Sequence, residues 1–260
     1  MTLDLARAAA ELAEYGIDLR VLETCASTQS EGQALAALGA PSGTAVVARS
    51  QAGGRGRFGR AWVSPAGGLY VSLVLRPGRA RVDWPSLGLV AALAALDAVE
   101  AAAGPGRVAL KWPNDLLVEG TGRKLAGTLA SVVEGSVPAL VVGLGLNLAP
   151  EGLPPEGAWL TEVVPAVDGA RVLVDLLAGL TARVSRWEDE GPGLQLREWW
   201  SRSGWAARRV RVQTDAQAGR GLVVEGVALG LAESGALRLC TDAGNEIEVD
   251  AGDVSVLDAA

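Results

Sequence analysis

The chain has 260 residues, 49% of them hydrophobic, and a formal net charge of −7, which is long enough for one large folded domain plus a small one. So acidic a chain lacks the basic face that general binding to nucleic acid or anionic membrane needs, and the absence of histidine excludes Ser-His-Asp and Cys-His nucleophiles and every His-ligated metal site. Cys25 and Cys240, the only cysteines, have no paired spacing, so neither a disulfide framework nor a zinc site is indicated and both are expected to be small buried hydrophobes.

The N-terminus MTLDLARAAAELAEYG carries Asp4 and lacks the basic, then apolar, then small-residue order of a secretory signal. The longest apolar runs, residues 87–96 and 137–146, fall short of the roughly 20 residues of a membrane-crossing helix, so a cytoplasmic protein with no membrane partner is expected. Residues 3–15 have the apolar spacing of an amphipathic helix, too little sequence for a helix-turn-helix module. Ser27 and Thr28 then precede QSEGQALAALG, in which a hydroxyl N-cap, Glu31 in the first turn and Gly39 at the end delimit a second helix. Strands are expected at 44–49 and 69–76, and an Ala/Leu-rich helix at 87–103. VALKW, a hairpin turning at residues 119–122 and the strand ALVVGLGLNL follow. Residues 150–165 read as a Pro/Gly-rich loop, and 170–190 and 194–201 as helices. From Trp205 onward RRVRVQT, GLVVEGVALGLA, GALRLCT and NEIEVDAGDVSVL form a run of short strands. The expected fold is α+β, a mixed sheet with helices on one face over residues 1–204, followed by a small β-barrel over 205–260.

Between the first two of these expected strands lies SQAGGRGRFGRAW, residues 50–62, with four glycines and three arginines. Residues 54–59 satisfy G-x-G-x-x-G, but Pro65, Gly67 and Gly68 follow where a dinucleotide site needs a helix. No Gly-Lys-Ser/Thr is present for a Walker loop, and a disordered RGG segment would be longer and set in a basic chain. Two readings remain: a solvated hairpin loop, or a loop that orders around an anion. Glycine lets backbone N–H groups approach a phosphate, and guanidinium forks bind phosphate or carboxylate in bidentate fashion.

Lys111 and Lys124 are the only lysines among 23 basic residues, and they flank one tight turn in KWPNDLLVEGTGRKLAG. A chain that otherwise uses arginine keeps lysine where a compact ammonium is required, or retains these two by compositional drift. Asn114 and Asp115 follow Pro113, which reads either as turn chemistry or, beside an arginine loop, as part of a site for a triphosphate with Mg²⁺. Asn147, at the end of GLGLNL, needs polar partners, structural or ligand.

Taken in order, the Ser27-Thr28 pair, Gln51 leading into GRGRFGRAW, KWPND, KLAG, GLGLN and a terminal barrel with GALRL and GDVSV resemble the biotin protein ligases over nearly the whole chain. The resemblance implies a catalytic domain like the class II aminoacyl-tRNA synthetase sheet over 1–204 and an SH3-like barrel over 205–260. It implies ATP-dependent conversion of biotin to biotinyl-5′-AMP, then transfer to a lysine of the biotin carboxyl carrier protein, with Mg²⁺ accompanying ATP. Carried over by position, Ser27, Thr28, Gln29, Gln51, Gly54, Arg55, Gly56, Arg57, Lys124 and Gly127 are implied biotin contacts. Arg55, Arg57, Arg60, Trp62, Lys111, Asn114 and Asn147 are implied ATP contacts, Trp62 by stacking on adenine. Lys124, Arg57 and Asp115 are implied catalytic residues, Asp115 either as Mg²⁺ ligand or as activator of the acceptor lysine. The arginine-glycine loop is implied to stay mobile until ligand arrives. Gln29 stands where the family usually has Asn, and Gly53 where Ala is commoner. No N-terminal winged helix is recognised, so no DNA binding is expected; a homodimer is allowed. A lipoate ligase, an anion-binding module and a structural scaffold are the rivals. The arginine loop with the terminal barrel favours biotin over lipoate, and the lysines are left without a task by the other two.

Overall fold

A computed structural model describes residues 3–149, 157–214 and 221–257. In chain order its elements are α1 (Leu5–Ala13), β1 (Asp18–Cys25), α2 (Thr28–Ala37), β2 (Thr44–Gln51), β3 (Gly68–Leu75), α3 (Leu87–Ala103), β4 (Val108–Lys111), β5 (Asp115–Val118), β6 (Lys124–Val133), β7 (Ala139–Asn147), α4 (Leu160–Val163), α5 (Gly169–Glu190) and α6 (Gly193–Ser203). Five strands end the chain: β8 (Arg209–Gln213), β9 (Val223–Leu231), β10 (Leu237–Thr241), β11 (Glu246–Val249) and β12 (Asp253–Val256).

The first seven strands form one mixed sheet in the order β1-β2-β3-β7-β6-β5-β4, with β1 and β2 parallel and every other pair antiparallel. Side-chain alternation divides its central strands cleanly. Leu69, Val71, Leu73 and Leu75 of β3 and Leu140, Val142, Leu144 and Leu146 of β7 enter the main core, where α3 and α5 also bury their apolar residues. α3 is apolar around its circumference except at Asp97 and Glu100, and most of it is buried, as a central core helix must be. Together with the turn before it, the helical segment Arg81–Ala103 is long and apolar enough to cross a membrane, which the apolar runs taken singly are not; two thirds of that window is buried inside this fold.

Among the described helices α2 alone packs on the opposite face, where Ala36, Val74, Ala139 and Val141 make a second, small cluster. Gly32 of α2 sits so near the sheet that a methyl group there would lie 2.9 Å from Val141 Cγ1. Beyond Val141 the same face of β7 continues as Gly143 and Gly145. Where the helix's apolar cover ends, glycine replaces side chain, Gln29 and the Trp62 indole lie over Gly143 and Gly145, and this face of the sheet opens into a cleft.

The terminal strands form an antiparallel sheet in the order β11-β10-β9-β8-β12. Its Val210, Val212, Leu237 and Leu239 join the main core, and two indoles tie it to the large sheet. Trp205 Nε1 donates to Leu110 O at 2.7 Å, and Trp112 Nε1 to Gly235 O at 3.0 Å.

Four expectations are corrected. Residues 18–25, which carried no strand expectation, form β1; its apolar residues break two-residue alternation because it is an edge strand, exposed along much of its length. The 150–165 loop contains α4, while residues 150–156 lie outside the described ones. Both cysteines are partly exposed rather than buried. Ser27 occupies the N-cap position of α2 without a side-chain capping bond; Gln51 Oε1 accepts from Thr28 N at 2.7 Å instead.

Candidate active site

Lys124 stands on the open face because β6 carries one extra residue. Asp115 pairs with Gly127 and Leu116 with Ala126, but Leu117 pairs with Lys124, so Leu125 is a bulge. Leu125 and Ala126 are both buried in the core, and the shift brings Lys124 onto the same face as Gly127 and Asp115. Its Nζ lies 2.7 Å from Asp115 Oδ1. A methyl group on Gly127 would sit 3.1 Å from Lys124 Cε and 3.2 Å from Nζ, so the absent side chain leaves the ammonium its path across the strand.

The arginine-glycine stretch folds as a small hairpin. Trp62 N donates to Gly54 O at 2.9 Å and Gly56 N to Arg60 O at 2.7 Å, and the tip turns through Phe58 (φ 58°) and Gly59 (φ 72°). The guanidiniums of Arg57 and Arg60 both approach the Phe58 ring, with Cζ 4.8 Å and 5.6 Å from its centroid. Gly54 is buried, and a side chain there would collide with Ser64 Oγ and Trp62 O. Trp62 lies against β7, where a methyl on Gly145 would come 2.6 Å from the indole, and Lys124 Nζ stands 5.0 Å from its ring centroid.

A chain of hydrogen bonds joins this hairpin to α2. Gln51 Oε1 accepts from Thr28, and Gln51 Nε2 donates to Ser64 Oγ at 2.8 Å, which donates to Trp62 O at 3.0 Å. Buried Ser72 lies with its Oγ 3.0 Å from Thr28 Oγ1 and 3.2 Å from Gln29 Oε1, and Gln29 Nε2 donates to Val141 O at 2.9 Å. Much of the polar capacity of Gln29 and Gln51 is thus spent on fixing α2 and the hairpin to the sheet.

These parts enclose an open cleft of about 800 Å³, continuous with solvent. Of the residues singled out in the sequence, Ser27, Thr28, Gln29, Gln51, Arg55, Gly56, Arg57, Arg60, Trp62, Asn114, Asp115, Lys124 and Gly127 line it. Gly54, Lys111 and Asn147 do not. Gly54 shapes the hairpin. Asn147 is buried behind the wall, donating from Nδ2 to Ala158 O at 2.9 Å while its Oδ1 has no hydrogen-bond partner. Sequence reasoning missed Ser72, Gly143, Gly145 and Asp253, which also line the cleft. The alternation of glycine in GLGLN is the signal that finds two of them, since glycine in a strand marks close approach of a ligand or another group.

Two family models match the chain: the Biotin/lipoate A/B protein ligase family over residues 23–147, and the Biotin protein ligase C terminal domain over 208–257. A biotin--[acetyl-CoA-carboxylase] ligase of Mycobacterium tuberculosis is 38% identical over 248 residues, covering 91% of this chain and 88% of that protein. The chain belongs to the biotin protein ligase family. A Paracoccus denitrificans ligase of the same description is 39% identical over 78% of the chain and 86% of its own length. Among solved structures, the biotin protein ligase from Aquifex aeolicus in complex with biotin and ATP superposes with a TM-score of 0.78 at 27% identity, over 93% of this chain and 99% of that one.

The electrostatics of the ligase cleft run against the charge of the whole molecule. Arg55, Arg57, Arg60 and Lys124 line it against the carboxylates Asp115 and Asp253. Arg57 is half-buried, and desolvation pulls its guanidinium below the ordinary value despite the fields of Asp253 and Asp115. Its Nη1 is 3.5 Å from Asn114 Oδ1, too long for a strong bond, and among the described residues it makes no ion pair. A cation so placed is matched to an incoming anion.

Proposed function

We propose that the chain activates biotin with ATP to biotinyl-5′-AMP and transfers biotin to a lysine of a biotin carboxyl carrier protein, acting in the cytoplasm, with residues 1–204 as catalytic unit and 205–260 as barrel. The observation that carries this reading is the bulge-presented Lys124 ammonium, set between a polar wall and an arginine hairpin. A biotin carboxylate oxygen attacks the α-phosphorus while the bond to pyrophosphate breaks. That carboxylate is ionised at neutral pH, so no base is needed and a histidine-free site suffices. Lys124 holds the carboxylate against the α-phosphate, and Arg55, Arg57 and Arg60 take up phosphate charge. In the second step the acceptor amine attacks the acyl carbon, AMP leaves, and the amine gives up its proton.

The wall of Ser27, Thr28, Gln29, Gln51 and Ser72 suits the hydrogen-bonding ureido ring of biotin better than the apolar dithiolane of lipoate. Ser27 spends no hydroxyl bond on capping α2, which leaves that oxygen to the ligand. The buried donor Trp62 Nε1, which has no hydrogen-bond partner among the described residues, supplies further polar capacity at the cleft wall.

The donor set fits Mg²⁺ brought in with ATP rather than a resident metal. No cluster of three or more acidic or thiol groups occurs among the described residues, and Mg²⁺ is satisfied by one or two carboxylates plus phosphate oxygens and water. Asp115 would hold it, and the metal would neutralise phosphate charge.

The test is pyrophosphate release with ATP, Mg²⁺ and either biotin or lipoate. Biotin-dependent turnover well above the lipoate rate is expected, and its absence would sink the reading. Lys124→Arg should lose roughly a hundredfold or more in adenylation, the scale of one lost electrostatic donor, because a planar fork cannot occupy the ammonium's place.

A further inference from the structure

One carboxylate of the cleft comes from the barrel, and nothing in the reaction above gives it a task. Asp253 opens β12, immediately after Gly252, where a methyl group would lie 2.6 Å from Val212 Cγ1. The absent side chain lets the barrel edge approach closely, and it sets Asp253 opposite Gln213 on β8. From there its carboxylate receives Arg60 in bidentate fashion, Nη1 to Oδ2 at 2.9 Å and Nη2 to Oδ1 at 3.1 Å. Burial pushes the Asp253 carboxyl upward, but Arg60, Lys111 and Arg57 together outweigh it and hold the group below its ordinary value. Lys111, absent from the cleft wall, adds its field to those of Arg60 and Arg57 at this carboxylate.

The pair contributes little to folding, since both side chains are more than half exposed, 54% and 58%, and exposed ion pairs are weak. What it holds is local. Residues 54–62 form a two-stranded hairpin turned through a left-handed phenylalanine, and an isolated hairpin is marginal in water. At its inner end Gln51 and Ser64 anchor it to α2. Near its tip, Arg60 is tied to the barrel by Asp253.

We propose that Asp253 is a positioning residue for the ATP half of the reaction. Acting through Arg60, it raises the fraction of the otherwise mobile arginine-glycine hairpin that is closed over the cleft, with Arg57 aimed inward, before nucleotide arrives. The inference rests on the ligation reading above. It also fixes a sign that separates it from the opposite role, in which the carboxylate stands where phosphate must go and competes with it.

The test compares the full chain with Asp253→Asn and Asp253→Glu. The first readout is limited trypsin cleavage after Arg57 and Arg60 without ligand, which follows the open population of the hairpin. Loss of an exposed ion pair should speed nicking by about two- to fivefold in Asp253→Asn. The second is biotin-dependent pyrophosphate release across ATP concentrations. KM for ATP should rise by a similar factor of about two to five while kcat stays within about twofold. Asp253→Glu, which keeps the carboxylate, should recover most of both effects, and the unfolding midpoints of all three proteins should coincide within a few degrees. An unchanged nicking rate, or a KM for ATP that is unchanged or lowered in Asp253→Asn, overturns the proposal, as does equal damage from Asp253→Glu. If the wild-type chain makes no biotinyl-AMP the ligation reading fails, whereas the cleavage readout still decides whether Asp253 closes the hairpin.

Discussion

Lys124 owes its position to one inserted residue. Its rarity in an arginine-rich chain marks it in the sequence, but a period-two pattern cannot say which face it takes, because the bulge at Leu125 is a property of register with β5. The same limit hides Gly127, whose value lies in a side chain that is missing. Gly127→Ala would press a methyl against Lys124 Cε, Nζ and Asp115 Oδ1, at 3.1, 3.2 and 3.3 Å. We expect a large loss of biotin adenylation with little change in unfolding midpoint; normal turnover would show that the ammonium needs no such path. Asp115 tests a separate point. Asp115→Asn should slow adenylation, because it removes the partner of Lys124 and, on the proposed reading, the carboxylate that would hold Mg²⁺. If single-turnover kinetics show only the transfer step slowed, Asp115 serves the acceptor lysine instead. At this scale the polar motifs were legible because their residue types are chemically loaded, and Ser72 was not, because one serine in an apolar strand carries no such signal.

At the scale of elements, the helices that support the sheet are joined by ions as well as by apolar packing. Arg183 of α5, buried with 7% of its side chain exposed, meets Asp97 of α3 and Glu198 of α6, each at 2.6 Å. Arg202 of α6 adds Asp97 at 2.7 Å and Glu100 at 2.6 Å. Arg183→Ala should therefore destabilise the fold by about 3 kcal/mol, the scale of breaking a buried pair, as read by chemical denaturation. The hydrogen bond from Arg183, aided by Arg202, outweighs burial and holds Glu198 below its ordinary value. A depressed carboxylate contributes stability that is complete above its unfolded pKa, about 4.3, and is lost as pH falls through the lower folded value. Stability should thus hold from neutrality to about pH 5 and fall below it. Glu198→Gln should lower the midpoint at pH 7 and flatten the acid fall; an unaltered acid limb would contradict this. Strong helical periodicity made α3 and α5 legible in the sequence. Edge strand β1 was missed because exposure on both sides erases the alternation that announces a strand.

Across the whole molecule, the site is a meeting of three bodies that sequence order keeps apart: the glycine face of β7, the hairpin at 54–62 and the barrel edge at Asp253. The sheet and the barrel could be expected from strand patterns, and the succession of motifs announced the family. That residue 253 faces residue 60 could not be, because their meeting depends on how Trp112 and Trp205 dock the barrel on the sheet. Net charge of −7 likewise concealed a cleft lined by four cations and two carboxylates. A positive site on an acidic protein favours a small anionic ligand over a polyanion, since attraction is confined to the cleft while the rest of the surface repels. The most direct measurement is a crystal structure with biotinyl-5′-AMP bound. We expect the biotin ring against Ser27, Thr28 and Ser72, and Lys124 Nζ and the Arg57 guanidinium within about 3 Å of oxygens at the phosphate-carboxyl junction. An adenylate whose phosphate lies beyond reach of both Lys124 and Arg57 would contradict the account.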